Sequence, residues 1–574
     1  MEEGLLPRSS VPETKSNTKS IADGDSSVTS VVVLSTLVSI CGSFAYGCTA
    51  GYSSPAESGI MEDLQLSVAA YSVFGSLTTV GGIIGSFMNG IIPDLIGRKG
   101  TMWLSELLCI FGWLAIAFSK GAWLLDIGRL STGIGAGMIA YVVPIYIAEI
   151  TPKDVRGGFT QASQEYTLSS TQLMMTCGFS LMFYLGTIVS WRTLAFIGSV
   201  PCLLQVFGLF FIPESPRWLA KIGREKELET TLRSFRGKNA DVSQEAADIK
   251  PILLPNMLTP APSNLPVGVV LFHPILYWNG SPPIFYWSVF VSIQSSIGMA
   301  LLQSSIGVSS FPSNFYWNGS PPISWLSVFF SIQFLLEWLS SNLSVGDYTK
   351  TFERDSEAGI LNMFQRRYAY SLLIGVGLMA LQQLGGSTAI GYYASSIFEE
   401  ADFSTSLGTV SMAIILIPAS CVSTLLIDKS GRRPLLLVSN SGMCLCFLIM
   451  ALALCVQDFH PFKNVTPVMV YVCMMGYNIA MSLGMAGIPS VIMSEIFPIN
   501  IKGSAGSLTT IVRWFFAFLS SYTFNFMMQW SPAGTFFIFA GICALAVLFV
   551  AVLVPETKDR TLEEIQASLT YLPE

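Results

Sequence analysis

Long apolar stretches alternate with short polar breaks along the chain. Twelve stretches stand out, at roughly 30–52, 67–91, 101–119, 122–148, 164–187, 191–212, 369–397, 406–427, 434–456, 467–493, 504–529 and 533–554. A helix that crosses a bilayer needs about 20 mostly apolar residues. Each stretch therefore predicts one crossing, and each break a loop at one membrane face. Several contain Gly or Pro, which spanning helices tolerate. The pattern predicts an all-α membrane protein with twelve transmembrane helices in two six-helix halves. The domain plan is a disordered tail over 1–29, a first half over 30–213, a linker over 214–368, a second half over 369–554 and a tail over 555–574.

The polar breaks carry charged motifs, and the set occurs twice. Asp94-Leu95-Ile96-Gly97-Arg98-Lys99 has a counterpart in Asp428-Lys429-Ser430-Gly431-Arg432-Arg433. Glu149-Ile150-Thr151-Pro152 with Arg156-Gly157 matches Glu495-Ile496-Phe497-Pro498 with Lys502-Gly503, and Pro213-Glu214-Ser215 matches Pro555-Glu556-Thr557. The order is the same and the internal spacings agree, which marks a duplicated architecture. Arg98/Lys99, Lys153/Arg156, the cluster from Lys221 to Lys238, Arg366/Arg367, Lys429/Arg432/Arg433, Lys502 and Lys558/Arg560 all fall on one side of the plan. The other side has little beyond Lys120 and Lys463. Such an excess marks the cytoplasmic side and places both termini there.

Each Gly-Arg-Arg/Lys loop joins two spans too tightly for a bulky residue, hence the glycine. In the first half, Arg98, Arg156 and Arg217 are candidates to join Asp94, Glu149 and Glu214 into one network at the rim. In the second, Arg432, Arg433 and Lys502 stand beside Asp428, Glu495 and Glu556. These charges either only set orientation or fasten helices in one conformation and release them in another. Two copies with matching acids favour the network.

Composition narrows the function. Hydrophobic residues make up 51% of the chain and charged residues 12%, against about 25% charged in an ordinary soluble protein. Mean hydropathy is +0.57. The partner this predicts is the lipid bilayer. The net charge is -7, and no basic patch interleaved with aromatics points to nucleic acid. The 11 Cys form no CxxC pair, and the 2 His share no motif with a carboxylate or Cys. No metal, cofactor or hydrolytic triad is therefore indicated, nor any enzyme chemistry. The Ser/Thr-rich N-terminal segment lacks the apolar core of a signal peptide. Gly128-Arg129-Leu130-Ser131-Thr132-Gly133-Ile134-Gly135-Ala136-Gly137 looks like a phosphate-binding loop, but no strand precedes it and it lies in an apolar run. Gly133 and Gly137 fit close helix packing better. Arg129 in the same span needs a partner or a wet cavity.

Taken together, Asp94–Lys99, Glu149–Gly157, Pro213-Glu214-Ser215-Pro216-Arg217-Trp218, Gln382-Gln383, Gly431-Arg432-Arg433 and Pro555-Glu556-Thr557-Lys558 resemble the sugar-porter family of the major facilitator superfamily. The resemblance covers about residues 30–250 and 347–566. Gly51-Tyr52-Ser53-Ser54-Pro55, Ser190-Trp191-Arg192-Thr193-Leu194-Ala195 and Ser521-Tyr522-Thr523-Phe524-Asn525-Phe526 look like its plant branch named for early response to dehydration. The resemblance implies alternating-access transport of a monosaccharide, by facilitated diffusion or linked to protons, in a plant plasma or vacuolar membrane. A non-transporting sugar sensor of the same fold is the alternative.

The resemblance also implies a substrate site between the halves near the midplane. Its residues are Gln382, Gln383, Thr388, Tyr392, Trp514 and a glutamine of the fifth span, Gln164 or Gln172, with Gln172 favoured by its register with Cys177-Gly178. Amides suit sugar hydroxyls because they both donate and accept without charge. The competing role for the paired glutamines is a helix–helix polar contact. The sequence departs from the family pattern at Thr388 and Arg513, where the family has Asn, and at Ser490, where it has an aromatic. An Arg facing a sugar cavity changes its hydration and selectivity. The first span reads Phe44-Ala45-Tyr46-Gly47-Cys48, without the acid that proton-coupled members carry there.

Residues 251–346 do not fit the plan. No Asp, Glu, Lys or Arg occurs from Pro251 to Leu336, and Tyr277–Ile284 recurs as Tyr316–Ile323. Three readings stand. A charge-free aromatic segment makes a poor soluble module. An even number of extra crossings fits at about 284–308 and 323–340. Translated non-coding sequence is the third, and would yield an inactive product.

Overall fold

A computed structural model of the chain describes residues 29–151, 160–237, 242–249, 368–457, 464–497 and 501–558. Residues 1–28, Arg156, the whole of 251–346 and the end of the chain lie outside the described residues, as do the side chains of Gln164, Asp428 and Lys502.

The first half runs α1 (Ser30–Gly51), α2 (Ser53–Leu64), α3 (Val68–Met88), α4 (Ile92–Leu95), α5 (Gly97–Ala117), α6 (Ala122–Ile150), α7 (Thr160–Leu185) and α8 (Trp191–Leu209). Three short helices follow, α9 (Pro216–Lys221), α10 (Glu225–Arg236) and α11 (Ser243–Ile249). The second half runs α12 (Ala369–Leu384), α13 (Ser387–Glu400), α14 (Thr405–Ser430), α15 (Arg432–Cys455), α16 (Thr466–Ala480), a π turn (Met481–Met485), α17 (Ile488–Ile496), α18 (Lys502–Trp530) and α19 (Pro532–Leu553). Serines open several passes: the Ser67, Ser190, Ser404 and Ser531 hydroxyls each accept the N–H three residues on. Each such cap is worth about 1 kcal/mol of helix stability.

Ten passes among the described residues are long and apolar enough to cross a membrane, with α12 and α13 counted as one pass and α16 to α17 as another. The fifth and eleventh, α7 and α18, have 26 and 29 residues. They are less apolar because α7 is rich in Ser, Thr and Gln and α18 carries Arg513, Asn525 and Gln529. Among the described residues, these two bring the passes to six in each half. The apolar pattern predicted unbroken spans at 369–397 and 467–493. The seventh pass instead breaks at Gly385-Gly386, and the tenth at the π turn and Gly487.

Within the first half, α6 packs on α3 and α5, and α5 on α8; within the second, α15 packs on α16 and α19. A Cβ on Gly133 would lie 2.4 Å from the Thr78 carbonyl oxygen, and one on Gly137 2.7 Å from that of Gly82. Only glycine permits so close an approach of α6 to α3, so these glycines serve packing. The halves meet along α3 with α18, α7 with α14, and α2 with α13. Phe207, Phe211, Ile414, Leu425 and Leu548 lie exposed on the outside. Hydrocarbon chains would cover such a surface, whereas water would not.

Candidate functional site

The breaks in the seventh and tenth passes face each other across the middle of the bundle. Gln382, at the end of α12, donates its amide to the Met485 carbonyl beside the π turn and, at 3.5 Å, to that of Ala486. Its oxygen accepts from Gln383 Nε2 at 3.1 Å. Gln383 Oε1 in turn accepts from the Ser387 and Thr388 hydroxyls at 3.0 and 2.6 Å. Backbone freed by a helix break needs such partners inside a membrane, and a buried amide would be costly without them.

This polar seam forms one wall of a central cavity that, with its mouth, holds about 1040 Å³. All six residues singled out for a substrate site line it: Gln172, Gln382, Gln383, Thr388, Tyr392 and Trp514. Gln382 makes the helix–helix contact that was the competing role, and it lines the cavity as well. Tyr46, Thr176, Asn478 and Ser482 line the same cavity and were not singled out. Asn478 was within reach of sequence reasoning, because an amide inside an apolar span marks a functional position by default. Two adjoining cavities share Arg513 with the first, and one of them runs past Asn89, Tyr141 and Met493 toward the face that carries the Gly-Arg loops.

The opposite face is sealed. Ser54 and Ser395 bond at 2.9 Å, and the Ser396 hydroxyl donates to Glu57. Asn525 donates to Ser72 at 3.0 Å. Above the cavity, Tyr393 stacks on Phe524 with ring centroids 5.3 Å apart. The three hydrogen bonds join one half to the other, and the ring stack lies within the second half. Burial pushes the Glu57 carboxyl up to about 8, with the Glu399 charge adding to the shift and the Ser396 hydroxyl opposing it.

The Gly-Arg loops build two matching rims. In the first half Arg98 holds both oxygens of Glu149, at 3.0 and 3.1 Å, and reaches Asp94 at 3.3 Å. Glu214 accepts the Arg98 and Lys99 backbone N–H groups at 3.0 and 3.1 Å, which places a carboxylate on the start of α5. In the second half Arg432 reaches Glu495 at 3.2 Å, and Glu556 accepts the Arg432 and Arg433 N–H groups at 3.0 and 3.1 Å. Gly97 and Gly431 both have φ +83, and a Cβ there would strike Glu214 or Glu556 at 2.4 and 2.8 Å. Arg217 is exposed and joins no ion pair among the described residues. Lys221, one turn further along α9, pairs with Asp94 at 2.9 Å instead. Arg433 donates to the Ala551 carbonyl at 2.6 Å, as Lys99 does to that of Ile212 at 2.9 Å.

The model of the family described as "Sugar (and other) transporter" matches residues 16–302 and 335–569. The unmatched stretch between them falls inside 251–346. The sugar transporter ESL1 of Arabidopsis thaliana is 41% identical over 543 residues, covering 95% of this chain and 93% of that protein. The sugar transporter ERD6-like 2 of the same plant is 42% identical over 547 residues, covering 95% and 96%. Among solved structures, the inward-open xylose transporter XylE of E. coli superposes with a TM-score of 0.63 at 20% identity, over 94% of this chain and 99% of that one. XylE solved as a major facilitator proton:xylose symporter with a bromodeoxyglucose gives a TM-score of 0.60, also at 20% identity, over 94% and 99%. The fold is that of the major facilitator superfamily.

Proposed function

The chain belongs to the sugar (and other) transporter family, and on that premise we propose that it carries a monosaccharide across a membrane by alternating access, with no chemistry on the substrate. The observation that carries this reading is the position of the cavity. It lies between the two halves, leads toward the rim and is closed at the far face by contacts that join the halves. Parting those contacts while the rim ends approach each other exposes the same cavity to the other side, which is the rocking that this architecture supports.

In this reading the sugar sits against Gln172, Gln382, Gln383, Thr388 and Tyr392, with Trp514 offering a ring face. Residues 30–213 and 369–554 are the moving halves, and 214–368 links them. Asp94, Arg98, Glu149 and Glu214, and Asp428, Arg432, Glu495, Lys502 and Glu556, bias which face is open. Arg156 adds to the basic side of the first rim, where Lys221, paired with Asp94, takes the place expected of Arg217. The distribution of Lys and Arg supports a cytoplasmic rim and cytoplasmic termini, in a plant plasma or vacuolar membrane. The first span, Phe44-Ala45-Tyr46-Gly47-Cys48, carries no acid to couple a proton, which supports facilitated diffusion over proton linkage by that route.

The test is uptake of radiolabelled hexoses and their derivatives by proteoliposomes, with the full chain and with 251–346 deleted. Saturable uptake is expected. Its absence from both, for every sugar tried, would overturn the reading.

A further inference from the structure

Arg513 lines the central cavity and both cavities that adjoin it. Among the described residues, no Asp or Glu lines any of the three. Arg513 has no ion pair and no hydrogen bond among the described residues. A guanidinium is charged at every working pH. Left without an anion near the middle of a membrane it is costly, and it needs water or a counter-charge.

A second cation lies just behind the cavity wall. Arg129 is fully buried, and its guanidinium stands 5.8 Å from the ring centroid of Tyr392, which lines the cavity. Its hydrogen bonds go to the Thr49 carbonyl at 2.9 Å and to the Ser53 hydroxyl. No carboxylate pairs with it among the described residues. Two guanidiniums without a carboxylate partner among the described residues thus stand at the cavity and behind its wall, where a low dielectric screens charge poorly.

We propose that the substrate is an anionic monosaccharide, a sugar acid whose carboxylate pairs with Arg513 while its hydroxyls meet the amides and hydroxyls of the cavity. The proposal rests on the transport reading and names its substrate class. Guanidinium and carboxylate are both planar and pair through two parallel hydrogen bonds. A neutral sugar leaves Arg513 uncompensated each time the cavity closes, whereas a carboxylate neutralises it. The cavity itself holds one guanidinium, which matches the single negative charge of a sugar acid better than the double charge of a sugar phosphate.

The experiment is uptake by proteoliposomes of labelled glucuronate, glucose and glucose 6-phosphate, with the full chain and with Arg513→Asn and Arg513→Lys. Glucuronate is expected to be taken up saturably and to be preferred over glucose. Arg513→Asn is expected to weaken glucuronate uptake by about tenfold or more while glucose uptake persists or rises, which also shows that the variant folds. Arg513→Lys keeps the charge without the planar fork and is expected to fall between. Glucose uptake without glucuronate uptake or competition would overturn the proposal and spare the transport reading. A glucuronate constant unmoved by Arg513→Asn would also overturn it, as would a preference for glucose 6-phosphate. Absence of uptake of all three sugars would sink both.

Discussion

At the rim of the first half, Arg98 grips both oxygens of Glu149 and the Ser215 hydroxyl adds a further bond to the same carboxylate. At the rim of the second, Arg432 reaches one oxygen of Glu495; the other oxygen, and the Thr557 hydroxyl that stands where Ser215 does, find no partner among the described residues. The second pair is also the more buried, its side chains 8% and 4% exposed against 14% and 8%. Burying a charge pair that is incompletely hydrogen-bonded gains little stability. Duplication has kept the scaffold of loop glycine, arginine and capping carboxylate while the strength of fastening has diverged. The first rim is the firmer hold, and the second is expected to yield first when the bundle moves.

The largest test removes each arginine. Arg98→Ala and Arg432→Ala each leave a buried carboxylate unpaired, a change that costs about 3–5 kcal/mol. Both variants are expected to lose thermal stability in detergent and most transport, with Arg98→Ala, which frees both oxygens of Glu149, the more severe. Equal losses would remove the asymmetry.

The far face gives the next test. Glu57 comes from the first half and Ser396 from the second, so this bond reports on their separation. In the sealed state its carboxyl is raised from 4.5 to about 8. The stability this lends the seal is complete below the ordinary value of 4.5 and is lost as pH rises through about 8. Far-face opening is expected to increase between about pH 5 and pH 9, and Glu57→Gln should abolish the dependence. A seal equally tight at both values in the native chain would contradict this.

A smaller effect separates the cavity walls. Gln382 both lines the cavity and braces the broken tenth pass, whereas Gln172, on the first half, lines the cavity without any bond to that break. Gln382→Ala is expected to raise the apparent substrate constant several-fold, and Gln172→Ala to do so less. An unchanged constant in Gln382→Ala would mean that this amide only packs helices. The smallest effect is at the rim hydroxyls. Ser215→Ala should cost about 1 kcal/mol, the usual worth of a hydrogen bond, and Thr557→Ala close to nothing by thermal melting. Equal costs would mean that the two rims are fastened alike.

The spans and the rim carboxylates were legible in the sequence because lipid punishes charge, so every Asp, Glu or Arg at the edge of an apolar run announces a boundary or a bond. Arg98 with Asp94 and Glu149 could be paired on that logic alone. The choice of Lys221 over Arg217 could not, because it depends on which face of the short α9 turns toward Asp94. The breaks at Gly385-Gly386 and at the π turn stayed hidden inside apolar runs, since hydropathy does not record where backbone bonds are lost. Ser54, Glu57, Ser395 and Ser396 looked like ordinary polar residues near a boundary. Only the approach of α2 to α13 makes them a seal. Arg513 was visible as a departure from the family pattern, but that it stands without a carboxylate in a shared cavity needed three dimensions.

The most direct test of alternating access measures both faces at once. Paired spin labels at Arg217 and Ser430 report on the rim, and a second pair at Lys120 and Val465 on the far face. Adding transported sugar in liposomes is expected to shift the two distance distributions in opposite directions, the rim shortening as the far face lengthens. Distances that both stay fixed, or that change in the same direction, would contradict a rocking of two halves about a central site.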